Sequence, residues 1–220
     1  MLLTWNGHSE FLLESADGYR VLTDPFDAHV GYPMRRVRAD AVTVSHGHGD
    51  HSYPEKVEGK PYIFNAAGAI GLSPSVRVGA VNAFHDDAEG TKRGMTLLTV
   101  IEMDGLRIAH LGDLGTALNE SQLAFLHDID VLLIPVGGFY TIDAVQAAEA
   151  VRRIAPKVTI PMHYKTSYNS GWPISEVGPF WKALGVEPPV TVPILRITKE
   201  DVECCRPFCQ FSEPKREEAK

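Results

Sequence analysis

Residues 46–51, His-Gly-His-Gly-Asp-His, constrain this chain more than any other stretch. They place four side chains able to ligate a metal, His46, His48, Asp50 and His51, directly behind the apolar run Ala41–Val44. That run is rich in β-branched residues and predicts a buried strand. A loop leaving a strand end can aim successive side chains into one pocket, which is where α/β sheets place ligands. Imidazole and carboxylate suit zinc and other first-row divalent ions. Gly47 and Gly49 let the backbone turn tightly between the ligating positions. The alternative, a polar surface loop with unrelated histidines, does not account for four ligand types crowded behind one strand.

The rest of the N-terminal half predicts short strands divided by turns. Leu2–Trp5, Phe11–Glu14 and Tyr19–Thr23 are strand-like, with Asn6-Gly7 and Asp17-Gly18 as turn signals. Asp24-Pro25 ends the third strand and opens an irregular stretch to about Arg38. Further strands are expected at Tyr62–Phe64, Val76–Ala83, Thr96–Met103 and Leu106–His110. The pattern then alternates. Helices are expected at Ser121–His127, capped by Asn119 or Ser121, at Ile142–Ile154 with Asp143 near its start, and at Ser175–Leu184. Strands are expected at Val131–Pro135, Lys157–Pro161 and Pro193–Ile197. This order argues for a layered α/β (α+β) protein. Residues 1–211 are expected to form one domain, and the charged residues 212–220 a frayed tail.

The formal net charge is -7 and no long basic run occurs, so a nucleic-acid partner is not expected. No apolar run reaches the roughly 18–20 residues of a membrane helix, and residues 1–6 lack a signal-peptide pattern. Three cysteines, Cys204, Cys205 and Cys209, cluster near the C-terminus and resemble neither a disulfide framework nor a zinc ribbon. They are expected to be incidental thiols in a cytoplasmic protein. His29 and His127 read as ordinary surface residues, and no Gly-x-Ser-x-Gly nucleophile motif is evident.

Val44-Ser-His-Gly-His-Gly-Asp-His51 resembles the His-x-His-x-Asp-His signature of the metallo-β-lactamase superfamily. Gly7-His8-Ser9, Thr23-Asp24-Pro25, Phe84-His85-Asp86, His110-Leu-Gly-Asp113 and Ile160-Pro-Met-His163 follow in that superfamily's order. The strings His110-Leu-Gly-Asp-Leu-Gly115, Ile134-Pro-Val-Gly-Gly138 and Pro161-Met-His-Tyr164 resemble its UlaG-like branch of small Zn-dependent hydrolases. The resemblance implies a four-layer αβ/βα sandwich with metals at one edge of the two sheets. It implies His46, His48 and His85 on a first metal, Asp50, His51 and His163 on a second, and Asp113 bridging them. His110 could replace His85 as a ligand, but its place at a strand end favours a supporting role. His8, Asp24 and His110 are the candidates for supporting the ligands. Thr116 departs from relatives that often carry histidine there, which puts any histidine-dependent proton transfer at that position in doubt.

The expected cofactor is a pair of divalent ions, zinc first, with manganese or iron as alternatives. The expected reaction is hydrolysis of a small anionic ester, lactone or phosphodiester by a hydroxide shared between them. Asp50, Asp113 and Tyr140 are the expected catalytic residues, with Tyr164 and Lys165 as other candidates for stabilising the leaving group. The alternatives are an iron-dependent oxidoreductase of the same fold and a non-catalytic metal-bound scaffold. The expected partner is a small-molecule substrate, with self-association left open.

Overall fold

Alternation of apolar side chains builds the first sheet. In the computed structural model, which describes residues 1–204 and 207–215, Leu3 and Trp5 of β1 (Leu2–Gly7) are buried, as are Phe11 and Leu13 of β2 (Glu10–Glu14). In β3 (Arg20–Thr23) and β5 (Ala41–Thr43) both faces are covered. Val21 and Ala41 join the main core, whereas Leu22 and Val42 point the other way into a smaller cluster with Ala39, Val44 and Val57. This two-sided burial follows from the period-2 geometry of a strand. The short strands β4 (Val37–Arg38) and β6 (Val57–Glu58) pair beside that smaller cluster.

Beyond β7 (Tyr62–Phe64) the chain enters the second sheet through β8 (Gly68–Gly71), β9 (Val76–Phe84), β10 (Met95–Met103) and β11 (Leu106–His110). Helix and strand then alternate: α1 (Glu120–Phe125), β12 (Val131–Pro135), α2 (Ala144–Ile154), β13 (Val158–Met162) and α3 (Gly178–Leu184). The last elements are β14 (Thr191–Val192), β15 (Leu195–Arg196), α4 (Asp201–Cys204) and β16 (Gln210–Phe211). The first sheet runs β15-β1-β2-β3-β5-β7 and the second β13-β12-β11-β10-β9-β8. Leu3, Leu13 and Val21 from the first share one core with Val78, Ile101 and Leu132 from the second. α2 turns Ala147, Ala148, Val151 and Ile154 into that core. The layered α/β expectation agrees with this arrangement.

Local chemistry explains the helix ends. Asn119, rather than Ser121, caps α1, and Asp143 caps α2; each forms a reciprocal capping box with the glutamine three residues on. α3 begins three residues later than Ser175. The Ser175 N–H donates to the Gly137 carbonyl (2.7 Å) and its carbonyl accepts from Lys165 (2.8 Å), which holds that residue extended against the site. β8 was not expected, because Gly-Ala-Ile-Gly carries no alternation and becomes a strand only by pairing with β9.

Residues 212–215 are not frayed. Ser212 donates to the Val192 carbonyl (2.9 Å), and the Glu213 carboxylate accepts from the Ser167 amide and hydroxyl. The Pro214 and Lys215 carbonyls accept from Tyr168 and Arg35. Residues 216–220 lie outside the described residues, as does Cys205. Cys204 is exposed and Cys209 buried, its thiol pushed up to about 11 by burial. Among the described residues no helix is long and apolar enough to cross a membrane.

A buried ion pair fixes the loop that follows the histidine cluster. Lys56 meets Glu10 and lies 3.7 Å from the centre of the Phe26 ring. Burial raises the Glu10 carboxyl and lowers the Lys56 ammonium, against the pull of each on the other. Glu10 also accepts from Asn6 (2.8 Å) and the Phe26 amide (3.2 Å). Lys56→Met is expected to destabilise the metal-free protein by about 3–5 kcal/mol, because it strands a buried carboxyl. Adding Glu10→Gln should recover much of that loss in urea unfolding; a double variant no more stable than the single would show that the pair is not the cause.

Candidate metal centre

Strand direction collects the site at one edge. In the first sheet β1 and β3 are both antiparallel to β2, and β3, β5 and β7 are mutually parallel. In the second, β9 and β11 are both antiparallel to β10, and β11, β12 and β13 are parallel. The C-terminal ends of β1, β3 and β5 therefore share one side of their sheet and deliver His8, Asp24 and the 46–51 loop. The ends of β9, β11 and β13 deliver His85, Asp113 and His163. The two edges touch where Leu97 donates to the Ser45 carbonyl (2.9 Å) and His163 to the His8 carbonyl (3.3 Å).

Close backbone approach needs glycine at several positions, Gly137 and Gly112 among them. A Cβ on Gly137 would lie 2.2 Å from the His163 carbonyl oxygen, and one on Gly112 would lie 2.4 Å from Thr96 Oγ1 and 2.8 Å from Ser45 Cβ. Gly112 also has φ +49. Without these glycines Asp113 and His163 could not approach the 46–51 loop. His8 (φ 52), Asp24 (φ 38) and His163 (φ 52) are themselves left-handed, a conformation that costs a non-glycine residue roughly 1–2 kcal/mol and marks functional sites.

Atoms able to ligate a metal converge in three groups, each within 4.8 Å: His46, His48 and His85; His8, Asp50, His51 and His163; and His46, His51 and Asp113. Asp113 Oδ2 lies 3.4 Å from His85 Nε2 and 3.3 Å from His163 Nε2, while Oδ1 lies 3.1 Å from His51 Nε2. Every residue expected to ligate is thus brought into one cluster. His8, expected behind the ligands, reaches it too, with Nε2 3.3 Å from Asp50 Oδ2.

Behind the cluster, Asp24 orients what lies in front. Its carboxylate accepts from the Ser45 amide (2.7 Å), the Ser45 hydroxyl (2.6 Å) and His51 Nδ1 (2.8 Å). Ser45 Oγ is 2.9 Å from His46 Nδ1. Both histidines therefore present Nε2 forward, the usual device by which a supporting carboxylate fixes a ligating ring. His110 stays in the background. Its Nε2 donates to the Ser9 carbonyl (2.9 Å), its Nδ1 accepts from Gly112 (3.1 Å), and Asp24 is 4.0 Å away.

At His46, His85, Asp50 and Asp113 the electrostatics favour the protonation states that ligation needs. Burial and nearby His51 push His46 down to about 3, and burial with His163 does the same to His8. Burial also lowers His85. For Asp113 burial alone would raise the carboxyl, but His163 and His51 outweigh it and hold it well below the usual range. Burial likewise opposes the charge on Asp50, which His8 and His51 keep ionised. His51 goes the other way. Burial disfavours its proton, yet Asp113 and Asp24 raise it well above an ordinary histidine. That pull on positive charge is the pull a cation would answer.

The cluster opens into a cleft of about 590 Å³. His48, Asp50, His85 and Asp113 form its floor, and Tyr140 and Trp172 contribute a wall. Trp172 packs edge-on against His8 (5.4 Å between centroids) and Tyr140 (6.0 Å). Tyr140 is thus positioned to meet a bound molecule. Tyr164 is not: it is buried and stacked on Trp5 at 5.5 Å. Lys165 lines a different cavity, and Thr116 a smaller groove beside Leu118 and Val145. His29, expected at the ordinary surface, lines the cleft 5.9 Å from the Trp172 ring. No local pattern marked His29 or Trp172; His29 arrives on a single 3-10 turn, Ala28–Val30, and Trp172 on a loop, both placed by tertiary packing.

The donor set fits divalent metal ions. His46 Nε2, His51 Nε2, Asp113 Oδ1 and both ring nitrogens of His163 are buried without a hydrogen-bond partner. Native interiors rarely leave such groups unpaired. They approach one another at ion-pair distances without hydrogen-bond geometry, as side chains do when aimed at a common centre. Nitrogen and carboxylate oxygen are the donors zinc and related ions take.

Comparison with known proteins agrees. Residues 2–163 match the family described as the beta-lactamase superfamily domain. The chain is 34% identical over 197 residues to a UPF0173 metal-dependent hydrolase of Archaeoglobus fulgidus, covering 76% of this chain and 84% of that protein. It is 35% identical over 199 residues to another from Opitutus terrae, with coverage of 76% and 86%. A solved Thermotoga maritima chain described as a candidate Zn-dependent hydrolase of the metallo-β-lactamase superfamily superposes with a TM-score of 0.75 at 36% identity, over 96% of this chain and 97% of that one. With its sheets, its clustered histidines and these relatives in agreement, the chain belongs to the metallo-β-lactamase superfamily and is a metal-dependent hydrolase.

Proposed function

We propose that this protein hydrolyses a small anionic ester, lactone or phosphodiester at a centre of two divalent cations, zinc being the first choice and manganese or iron the alternatives. The observation that carries the reading is the place of Asp113, whose two oxygens face His85 and His163 on one side and His51 on the other. In this reading His46, His48 and His85 would hold one cation, Asp50, His51 and His163 would hold the other, and Asp113 would be shared between them. Two such ions bring a water toward neutral pKa and polarise the oxygen under attack.

The remaining steps fall to the chain's own side chains. His8 Nε2 donates to Asp50 Oδ2 and steadies that carboxylate, which is the part-exposed one facing the cleft. Asp24 and Ser45 keep His51 and His46 in a fixed tautomer. Tyr140 offers its hydroxyl proton to the departing oxygen, and Trp172 shields the cleft from bulk water.

Size and charge support a small anion. A cavity of about 590 Å³ lies in the range of small-molecule sites. Two divalent ions would carry more positive charge than the carboxylates of Asp50 and Asp113 offset, which would leave a positive floor able to attract an anion. The chain as a whole carries -7, which disfavours a nucleic-acid backbone.

Reconstituted protein should carry about two divalent ions per chain by elemental analysis, in keeping with a two-metal site. Protein that stays metal-free at saturation would sink the proposal. Asp113→Ala should lose at least one ion and lower turnover by roughly a hundredfold or more, whereas His110→Ala should cost less metal than His85→Ala.

Asp24→Asn keeps the size of the side chain but not its charge, and should weaken metal affinity by about 10–100-fold with the fold retained. Unchanged affinity in competition with a chelating dye would remove Asp24 from the supporting role. In a substrate panel, small esters, lactones or phosphodiesters should be turned over and structured RNA left intact; the reverse result would refute the assignment of substrate class.

A further inference from the structure

The wall of the cleft holds a positive charge that the metal chemistry does not use. Arg93 lines the cleft together with Tyr140 and Trp172. It sits at the far end of the loop that starts at His85, and that loop is firmly tied. Asp86 accepts the amides of Ala88 (2.8 Å), Gly90 (3.0 Å), Lys92 (3.0 Å) and Arg93 itself (2.7 Å). The His85 amide donates to the Gly94 carbonyl (3.0 Å), which closes the loop at its base. Asp86 therefore spends its acceptors on the backbone and does not pair with the Arg93 side chain.

The two basic neighbours in this loop are used differently. Lys92 pairs with Asp87 at 2.6 Å on the open surface. The Arg93 guanidinium instead lies over the Tyr140 ring, 5.5 Å from its centre. Among the described residues no carboxylate pairs with it. The acidic groups that share the cleft are otherwise engaged: Asp27 accepts from the His29 amide (2.9 Å), and Asp50 and Asp113 face the histidines. An arginine laid on an aromatic face loses rotamer freedom before any ligand arrives, and its planar fork matches a carboxylate or phosphate with two parallel hydrogen bonds.

We propose that Arg93 is the specificity-determining residue of this cleft: it holds an anionic group of the substrate against the Tyr140–Trp172 wall while the scissile bond lies over the histidine cluster. This rests on the hydrolytic reading above and adds to it the position of the charge. The substrate is then an ester, lactone or phosphodiester with a carboxylate or phosphate set apart from the bond that is cut. The metals alone do not account for such selectivity, since a charge they attract binds at the floor and not at the wall.

The test uses zinc-loaded full-length protein and two esters of equal length, 4-nitrophenyl pentanoate and mono(4-nitrophenyl) glutarate. They differ only in a terminal methyl against a carboxylate. Arg93→Gln is expected to raise KM for the glutarate ester about tenfold or more, as loss of a charge-assisted pair does, and to leave kcat within about twofold. The pentanoate ester should be unaffected, and Arg93→Lys should restore part of the loss. Calorimetric titration with phenylphosphonate provides a readout apart from turnover, and its Kd should weaken in Arg93→Gln to a similar degree. Equal losses on both esters, or an unchanged phenylphosphonate Kd, would overturn the assignment. If wild-type protein cleaves neither ester but Arg93→Gln still loses phenylphosphonate affinity, these esters fall outside its hydrolytic range while the role of Arg93 stands.

Discussion

The edge where the two sheets meet depends on one buried carboxylate. Asp24 sits at the end of β3 with almost no solvent contact, at a left-handed φ that few aspartates adopt. Burial by itself would favour its neutral form, but His110, His51 and Ser45 together keep it ionised. In return its two oxygens fix the first residue of the cluster loop, the ring of His51 and, through Ser45, the ring of His46. A charge buried without partners would cost several kcal/mol; with these partners satisfied it becomes a template on which the ligating nitrogens are aimed. The strain of its backbone is held by the strand on one side and this network on the other.

Topology does the rest of the gathering. Residues as distant in sequence as His8 and His163 meet because, within each sheet, the strands that deliver the site residues run the same way. Loops of very different length can then converge without any long-range sequence signal. Glycines at 112 and 137 remove the steric barrier to the last approach. Burial holds His8, His46 and His85 toward their neutral forms, whereas at His51 two carboxylates prevail and favour the charged one.

How much of this could be read beforehand depends on whether a feature is local. The cluster at 46–51 lies in six consecutive residues, and the strand before it is a short β-branched run of mostly apolar residues, so both were legible. The caps at Asn119 and Asp143 follow from chemistry three residues long. Other features have no local signal. Gly68–Gly71 becomes a strand only through its partner, and Ser175 stays extended only because Gly137 and Lys165 hold it. Tyr140, the expected catalytic tyrosine, faces the cleft, whereas Tyr164, the other tyrosine candidate, is buried and stacked on Trp5. His29, Arg93 and Trp172 come from three separate segments, and only the folded chain brings them to one cleft.

The short strap formed by residues 212–215 has an effect on timing as well as on shape. It grips Ser167 and Tyr168, in the loop that carries Trp172 into the cleft. Synthesis proceeds from the N-terminus, and a domain begins to fold as it emerges. The second sheet and the histidine edge are complete by His163, with only the edge strand β15 of the first sheet still to come, and Glu213 is made later still. A nascent chain can therefore assemble its metal-binding edge while the aromatic wall above it still lacks its clasp, and the cleft takes its final form only after these late residues have left the ribosome.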